Sequence, residues 1–211
     1  MNQKKLLSEI TLLKNNAVGE KVNSRYSEFQ EFKNKSEEDW FSELCFCILT
    51  ANTSSEMGSR VQKAVGFDGF YKLPEKKLVE KLKSSGCRFY NRRADFIVKN
   101  RKHFGLKEKL KEFENERIAR DYLSENVKGF GFKEASHFLR NTGSTNVAIL
   151  DKHVVNILAE NLIISEKPNT MNKKNYLEIE CKLDSFAKKA NLNHAKLDLY
   201  LWYLETGKVL K

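Results

Sequence analysis

The sequence predicts an all-α protein. Apolar residues recur at helical spacing along nearly the whole chain, and strict alternation is nowhere sustained. Only Pro74 and Pro168 stand as proline breaks. Capping residues and terminal glycines punctuate the periodic runs. With 211 residues, the chain can bury a good core as one body or as two small lobes.

The elements follow in order. Residues 3–15 place Leu6, Ile10 and Leu13 on one face. Residues 18–33 group Val18, Val22, Tyr26 and Phe29, and the Asn-Lys-Ser stretch at 34–36 is a break. Ser36-Glu37-Glu38-Asp39 reads as a capping box. It opens a helix with Trp40, Phe41, Leu44, Ile48 and Ala51 inward, expected to be the central buried helix of its lobe and to end at Thr50-Ala51-Asn52. Thr53, with Glu56 three residues on, is expected to cap the next helix. That helix turns Met57, Val61 and Val65 inward, and Gly66 and Gly69 are expected to close it. Pro74 starts another helix where proline is tolerated, and Ser84-Ser85-Gly86 ends it.

Residues 88–104 read as a basic helix, with Arg88, Arg92, Arg93, Lys99, Arg101 and Lys102 around Ala94, Ile97 and Val98. Such a run is ordinarily a solvated face, but its nearness to Cys87-Arg88-Phe89-Tyr90 suggests more. Residues 107–126 give two short helices, using Leu110 and Phe113, then Ile118, Tyr122 and Leu123. A hairpin and another helix follow. After Asp151 comes a helix with Val154, Val155 and Leu158, and a loop containing Pro168. Residues 171–190 form a long helix with Tyr176, Leu177, Leu183 and Phe186. The last helix, 194–206, stops at Gly207, a usual C-terminal stop.

Most of the chemistry lies between Val127 and His153. Val127-Lys128-Gly129-Phe130-Gly131 is a short hairpin, and its two glycines allow a tight bend and close approach to a ligand. A lone G-x-G is also found in ordinary turns. Here a helix begins directly after it, so free N–H groups and the positive dipole end make an anion site. The obvious anion is a nucleic-acid phosphate. Lys133 falls in the first turn of that helix, where the dipole disfavours an ammonium ion, and a neutral lysine is a nucleophile candidate. Asp151 precedes another apolar-periodic run and reads as its N-cap, held ionised by the helix start.

Composition agrees with a polyanionic partner. Net charge is +10 with a pI near 9.3, which leaves DNA, RNA and an anionic membrane open beside a merely solvated Lys-rich surface. No apolar run reaches the length of a membrane span. The opening Met1-Asn2-Gln3-Lys4-Lys5-Leu6-Leu7 has no signal-peptide core, so a cytoplasmic protein is expected. Cys45, Cys47, Cys87 and Cys181 form no C-x-x-C pair, so neither a metal nor a cofactor is expected. Cys45 and Cys47 lie in an apolar run and read as core residues.

These motifs resemble the helix-hairpin-helix DNA glycosylases that carry a catalytic lysine and aspartate. The wording KGFGFKEASHFLRNTG…AILDKH is similar to the type 2, archaeal-type 8-oxoguanine DNA glycosylase/AP lyase family. The resemblance extends to ELCFCILTAN upstream and LDLYLWYLETGKVLK downstream. It departs from the wider superfamily in having Val127-Lys128 where many members have Leu-Pro, and in lacking a proline before Asp151. The four-cysteine cluster of iron–sulfur members is also absent.

The resemblance implies two helical lobes with DNA bound in the cleft between them. Residues 34–143 would form a central lobe ending in the helix-hairpin-helix, and 1–33 with 144–211 the second lobe. It implies a bifunctional base-excision repair enzyme. Such an enzyme removes 8-oxoguanine through a lysine Schiff base, then cuts the strand at the abasic site by β-elimination. It would act without a cofactor, as a monomer, on double-stranded DNA carrying 8-oxoguanine or abasic sites, nucleoid-associated in the cytoplasm.

Carried onto matching positions, the resemblance makes Lys133 the Schiff-base lysine and Asp151 the carboxylate that takes its proton. Gly129 and Gly131 would hold the DNA backbone and His153 would lie against a phosphate. Asn52 would enter the gap left by the extruded base. Phe89 and Trp202 would supply flat faces for the flipped purine. The α-carboxylate of Lys211 would accept the N–H that 8-oxoguanine has at N7 and guanine lacks. Each residue has a plainer reading: Lys133 a surface lysine, Asp151 only a cap, His153 a helix-surface histidine, Asn52 a helix end. Phe89 and Trp202 would then be core, and Lys211 frayed. His137 is given only the structural reading. A non-catalytic DNA-binding module fits the hairpin alone, and a monofunctional glycosylase would keep the aspartate without the lysine. RNA binding rests on charge alone. The pairing of Lys133 with Asp151 favours the enzyme.

Overall fold

The computed structural model describes residues 3–211. Among the described residues there are twelve α-helices, one 3-10 turn and no strand. In chain order the helices are α1 (Gln3–Lys14), α2 (Ala17–Phe32), α3 (Glu37–Thr50), α4 (Ser55–Lys72), α5 (Glu75–Ser84) and α6 (Tyr90–Asn100). Then come α7 (Leu106–Lys111), α8 (Glu116–Asn126), α9 (Phe132–Asn141), α10 (Lys152–Glu160), α11 (Lys173–Ala190) and α12 (His194–Thr206). The 3-10 turn, Arg101–His103, lies between α6 and α7. The chain divides into two compact units, one of residues up to Glu31 together with Gly143–Lys211, the other Phe32–Thr142.

In the second unit, α3 is the centre and packs against α4, α6, α7 and α9. Its cap is reciprocal: the Asp39 N–H donates to Ser36 Oγ at 3.2 Å, and the Ser36 N–H donates to Asp39 Oδ2 at 3.2 Å. From Trp40 to Thr50 every residue except Ser42 is buried. A helix apolar on all sides has to be enclosed.

The sequence expectations for α4 need two corrections. Ser54, not Thr53, caps it, accepting from the Met57 N–H at 3.2 Å. The Thr53 hydroxyl instead donates to the Leu49 carbonyl at 2.7 Å and accepts from Arg93 Nη2 at 3.1 Å. Gly66, at φ +69°, breaks the helical backbone as expected, but a second helical stretch resumes beyond it, and Gly69 lies inside that stretch instead of closing the element. That continuation stacks Phe67 on Tyr71 at 5.2 Å, and Phe41 packs on both rings. Aromatic packing of this kind stabilises the resumed turn. Elsewhere, α6 is shorter than residues 88–104, and Ile118 of α8 faces solvent while Ala119, Arg120 and Leu123 turn inward. The buried face of α8 is shifted because Arg120 lies inside, its guanidinium 4.8 Å from the Phe132 ring.

In the first unit, α1 packs on α11, while α10 and α11 pack on α12. Leu6, Ile10, Val22, Phe29, Val154, Leu158, Leu183 and Phe186 are among its buried residues. Leu177 is exposed instead of inward. The inner stripe of α11 is set by Tyr176, whose hydroxyl donates to the Ala148 carbonyl at 2.6 Å, so the next residue falls outside it. α12 ends as expected at Gly207, in the left-handed region, whose N–H donates to the Tyr203 carbonyl at 2.8 Å.

Candidate active site and nucleic-acid interface

Helices α8 and α9 pack together and are joined by residues 127–131. Val127 and Phe130 bury their side chains, which pulls the link into a turn closed by the Phe130 N–H on the Val127 carbonyl at 3.1 Å. Gly129 sits at φ +92°, and a Cβ there would lie 2.4 Å from Phe96 Cδ2. Glycine is therefore required both by conformation and by space. Gly131 differs: its φ of −103° suits any residue, and a Cβ would meet only Glu134 Oε2 at 3.4 Å. Its lack of a side chain leaves the start of α9 with no side-chain cap from that position. Asn100 braces the hairpin from α6. Its buried amide donates to the Lys128 carbonyl at 2.8 Å and accepts from the Lys128 N–H at 2.9 Å.

Lys133 is the second residue of α9 and is half-buried. Its Nζ lies 3.0 Å from Glu134 Oε1, while Glu134 Oε2 accepts from the Gly131 N–H at 3.3 Å. One carboxylate thus closes the hairpin onto the helix and holds the lysine beside it. The rest of α9 is buried, and Asn141 at its end donates to Glu43 Oε1 of α3 at 2.6 Å. His137 is buried with its ring edge-on to Phe46, in keeping with a structural part.

Asn52 and Phe89 are both exposed, and both have positive φ, +56° and +55°. Left-handed backbone outside glycine is strained and has to be held by its surroundings. Phe89 is 55% exposed, so it is not a core aromatic. Beneath it lies Arg93, which is buried. Arg93 Nη2 donates to the Ala51 carbonyl at 2.7 Å and to Thr53 Oγ1 at 3.1 Å, the two neighbours of Asn52. Its Nη1 reaches Cys87 Sγ at 3.5 Å, and its guanidinium carbon is 5.8 Å from the Phe89 ring centre. Arg88 approaches the same ring at 5.2 Å.

In the first unit, Asp151 caps α10, its Oδ1 accepting from the Val154 N–H at 2.8 Å. The segment that delivers it is clamped by α11. Glu180 Oε1 accepts from the Ala148 N–H at 2.9 Å, and the Tyr176 hydroxyl donates to the Ala148 carbonyl and accepts from the Leu150 N–H at 3.2 Å. Two residues past Asp151, the His153 ring stands edge-on to Trp202 at 5.0 Å, with Nδ1 3.3 Å from Glu205 Oε1. The Thr206 hydroxyl donates to the Trp202 carbonyl at 2.7 Å and accepts from the Lys208 N–H at 3.3 Å, tying down the segment that leads to half-buried Lys211.

The structure thus gathers Asn52, Phe89, Gly129, Gly131 and Lys133 on one framework built around α6 and the hairpin. It groups Asp151, His153 and Trp202 on α10 and α12 in the other unit. Sequence reasoning missed Arg93, Asn100, Glu134, Tyr176 and Glu180 as supports. Only Glu134 carries a local signal, as an acid three residues past a helix cap. Among the described residues no group of three or more His, Cys, Asp or Glu is placed to hold a metal ion, and no helix is long and apolar enough to cross a membrane.

Comparison with known proteins adds to this geometry. Residues 22–192 match the profile of a family described as 8-oxoguanine DNA glycosylase. The chain is 52% identical over 206 residues to the 8-oxoguanine DNA glycosylase/AP lyase of Methanocaldococcus jannaschii, covering 98% of this chain and 99% of that one. A crystal structure of the M. jannaschii 8-oxoguanine glycosylase/lyase, in complex with a 15mer DNA containing 8-oxoguanine, superposes with a TM-score of 0.95 at 51% identity. It covers 98% of this chain and 100% of the other. The 8-oxoguanine DNA glycosylase of Thermotoga maritima gives a TM-score of 0.92 at 45% identity, with 100% of each chain covered.

Proposed function

The chain belongs to the 8-oxoguanine DNA glycosylase family, and we propose that Lys133 and Asp151 carry its chemistry. The protein excises 8-oxoguanine from double-stranded DNA and cleaves the strand at the abasic site. The observation that carries the residue assignment is the position of Lys133, held by Glu134 in the first turn of a helix that starts directly after a glycine hairpin.

The target carbon is inaccessible in a stacked duplex, so the damaged nucleotide is first turned out of the helix. Lys133 loses a proton, and its nitrogen lone pair forms a bond to C1′ as the C1′–N9 bond breaks. The bonding pair leaves with the base, which takes up a proton. Asp151 receives the lysine proton and offsets positive charge building on the sugar. The added nitrogen then gives up a proton and forms the C1′=N bond of a Schiff base as the C1′–O4′ bond breaks and O4′ takes up a proton. This Schiff base acidifies the C2′ proton. Loss of that proton forms the C2′–C3′ double bond and expels the 3′ phosphate, which nicks the strand 3′ to the lesion. The ion pair of Lys133 with Glu134 has to open before the nitrogen can attack.

The remaining roles follow the chemistry of each group. Gly129, Gly131 and His153 are assigned to the DNA backbone, and Asn52 to the space vacated by the flipped base. Phe89 and Trp202 are assigned to the faces of that base. An acceptor at Lys211 reads the N7–H, because a site built around one hydrogen bond rejects the analogue lacking it far better than an apolar pocket does. The enzyme works in the cytoplasm, on the DNA.

The test is a pair of duplexes, one with 8-oxoguanine and one with guanine. Borohydride should trap a protein–DNA adduct on the first alone, with nicks that need no added alkali. Base release without any adduct would mean a monofunctional glycosylase and remove Lys133 from its role.

A further inference from the structure

We propose that Arg93 is a positioning residue that holds Asn52 and Phe89 in one register, and that α6 carries this register to the hairpin. The proposal rests on the assignment of Asn52 and Phe89 to DNA given above. Arg93 is buried, so it acts through what it touches and not on the nucleic acid itself.

Each contact has a consequence for one of the two exposed side chains. The Nη2 bonds fall on Ala51 and Thr53, directly before and after Asn52. They fix the turn in which Asn52 is left-handed. On the same guanidinium, Nη1 meets Cys87, and the central carbon lies over the ring of Phe89, itself left-handed. The two strained residues therefore share one rigid support. A planar fork with several donors can serve two acceptors and a ring at once, whereas an ammonium is a single point charge. A buried charge is costly unless bonded, and an apolar residue of similar size would fill the space more cheaply. Retaining arginine here fits a need for geometry over stability.

The same helix face continues to the phosphate end of the site. Phe89, Arg93, Phe96 and Asn100 follow at steps of four, three and four residues, which places them on one stripe. Phe96 packs on Gly129, and Asn100 holds both backbone groups of Lys128. α6 thus sets the separation between the hairpin and the Asn52–Phe89 pair.

Double-mutant cycles test this. Single-turnover excision of 8-oxoguanine is measured for Arg93→Met, Phe89→Ala, Asn52→Ala and the two double variants that contain Arg93→Met. Arg93→Met should slow the rate constant by about tenfold, a coupling usual for contacting residues. In the Phe89→Ala or Asn52→Ala background the same change should cost about twofold or less. An undiminished Arg93→Met penalty in both backgrounds, while the single Phe89 and Asn52 variants are themselves slow, would overturn the positioning role alone. Full activity of both single variants would overturn the DNA assignment beneath it as well. A lower burst amplitude with an unchanged rate constant would mean fewer folded molecules and no positioning role. Should Arg93→Met fail to fold, Arg93→Lys enters the same cycles. It keeps charge and chain length but loses the fork, and the same pattern is expected.

Discussion

Phe96 occupies the space that any side chain at position 129 would need, with its Cδ2 2.4 Å from where a Cβ of residue 129 would lie. The ring is braced in turn by Arg92, whose guanidinium carbon is 5.2 Å from the ring centre. Gly129→Ala must therefore push the hairpin off α6 as well as strain a φ of +92°. A destabilisation of about 1–3 kcal/mol is expected, read as a lower melting temperature together with weaker binding to duplex DNA. Gly131→Ala should melt close to wild type, since neither its φ nor its surroundings oppose a methyl group.

Lys133→Gln should abolish borohydride trapping while lesion DNA is still bound. Gel shift against trapping yield separates the two effects. An adduct of unchanged yield would move the nucleophile elsewhere, with Lys128 of the hairpin as the first suspect.

Asp151→Asn keeps an N-cap, because asparagine accepts from the Val154 N–H much as aspartate does. Loss of a cap to alanine typically costs ~1 kcal/mol, and asparagine should cost much less. Excision should nevertheless fall by orders of magnitude. A thermal melt beside a single-turnover assay decides: an unfolded variant, or one with intact turnover, would refute the catalytic role.

Binding should weaken steeply with salt. For a protein of net charge +10 gripping phosphates, log K should fall by roughly 0.9 per phosphate contacted for each decade of salt. A titration of duplex affinity against salt measures the slope. A flat response would remove residues 88–104 and 128–133 from the electrostatic footprint.

His103 predicts a pH effect on the hairpin's support. Burial pulls its pKa below the ordinary 6.5 more strongly than the bond to the Asn126 carbonyl raises it, and Lys102 lowers it further. The folded state then binds fewer protons than the unfolded one. Stability rises with pH through the window between the lowered value and 6.5, and it is lost as pH falls through that window. His103→Gln should flatten this part of the curve. Melting temperatures between about pH 5 and pH 7.5 would show it.

What was legible in the sequence was local. The Ser36–Asp39 box, the Asp151 cap and the Gly207 stop each depend on partners within a few residues, and each is present in the structure. Thr53 misled because two adjacent hydroxyl residues compete, and the Thr53 hydroxyl is held by the Leu49 carbonyl and by Arg93, which leaves Ser54 to cap. Gly66 does break the helix, whereas Gly69 misled because aromatic packing holds the turns beyond the break helical. The supports of the site were illegible for a different reason. Arg93 meets residues some forty positions away, and Asn100, Tyr176 and Glu180 meet partners about thirty positions away. No periodicity records such pairs. For Phe89 the sequence left a base-stacking face and a place in the core as alternatives, because aromatics are usually buried, and its 55% exposure argues against the core.

The placement of the cysteines has a bearing on the setting in which this protein works. Oxidised guanine forms where oxidants reach DNA, so the enzyme that removes it meets the same oxidants. Thiolates are what those oxidants attack. Cys45, Cys47 and Cys87 are all buried, and burial pushes the Cys45 thiol well above its ordinary value despite the opposing pull of Arg101. Cys87, which lies against Arg93, is shielded from solvent as well. Cys181, on α11, is exposed and open to attack. It is the residue at which sulfenic acid should first appear when the protein is exposed to peroxide.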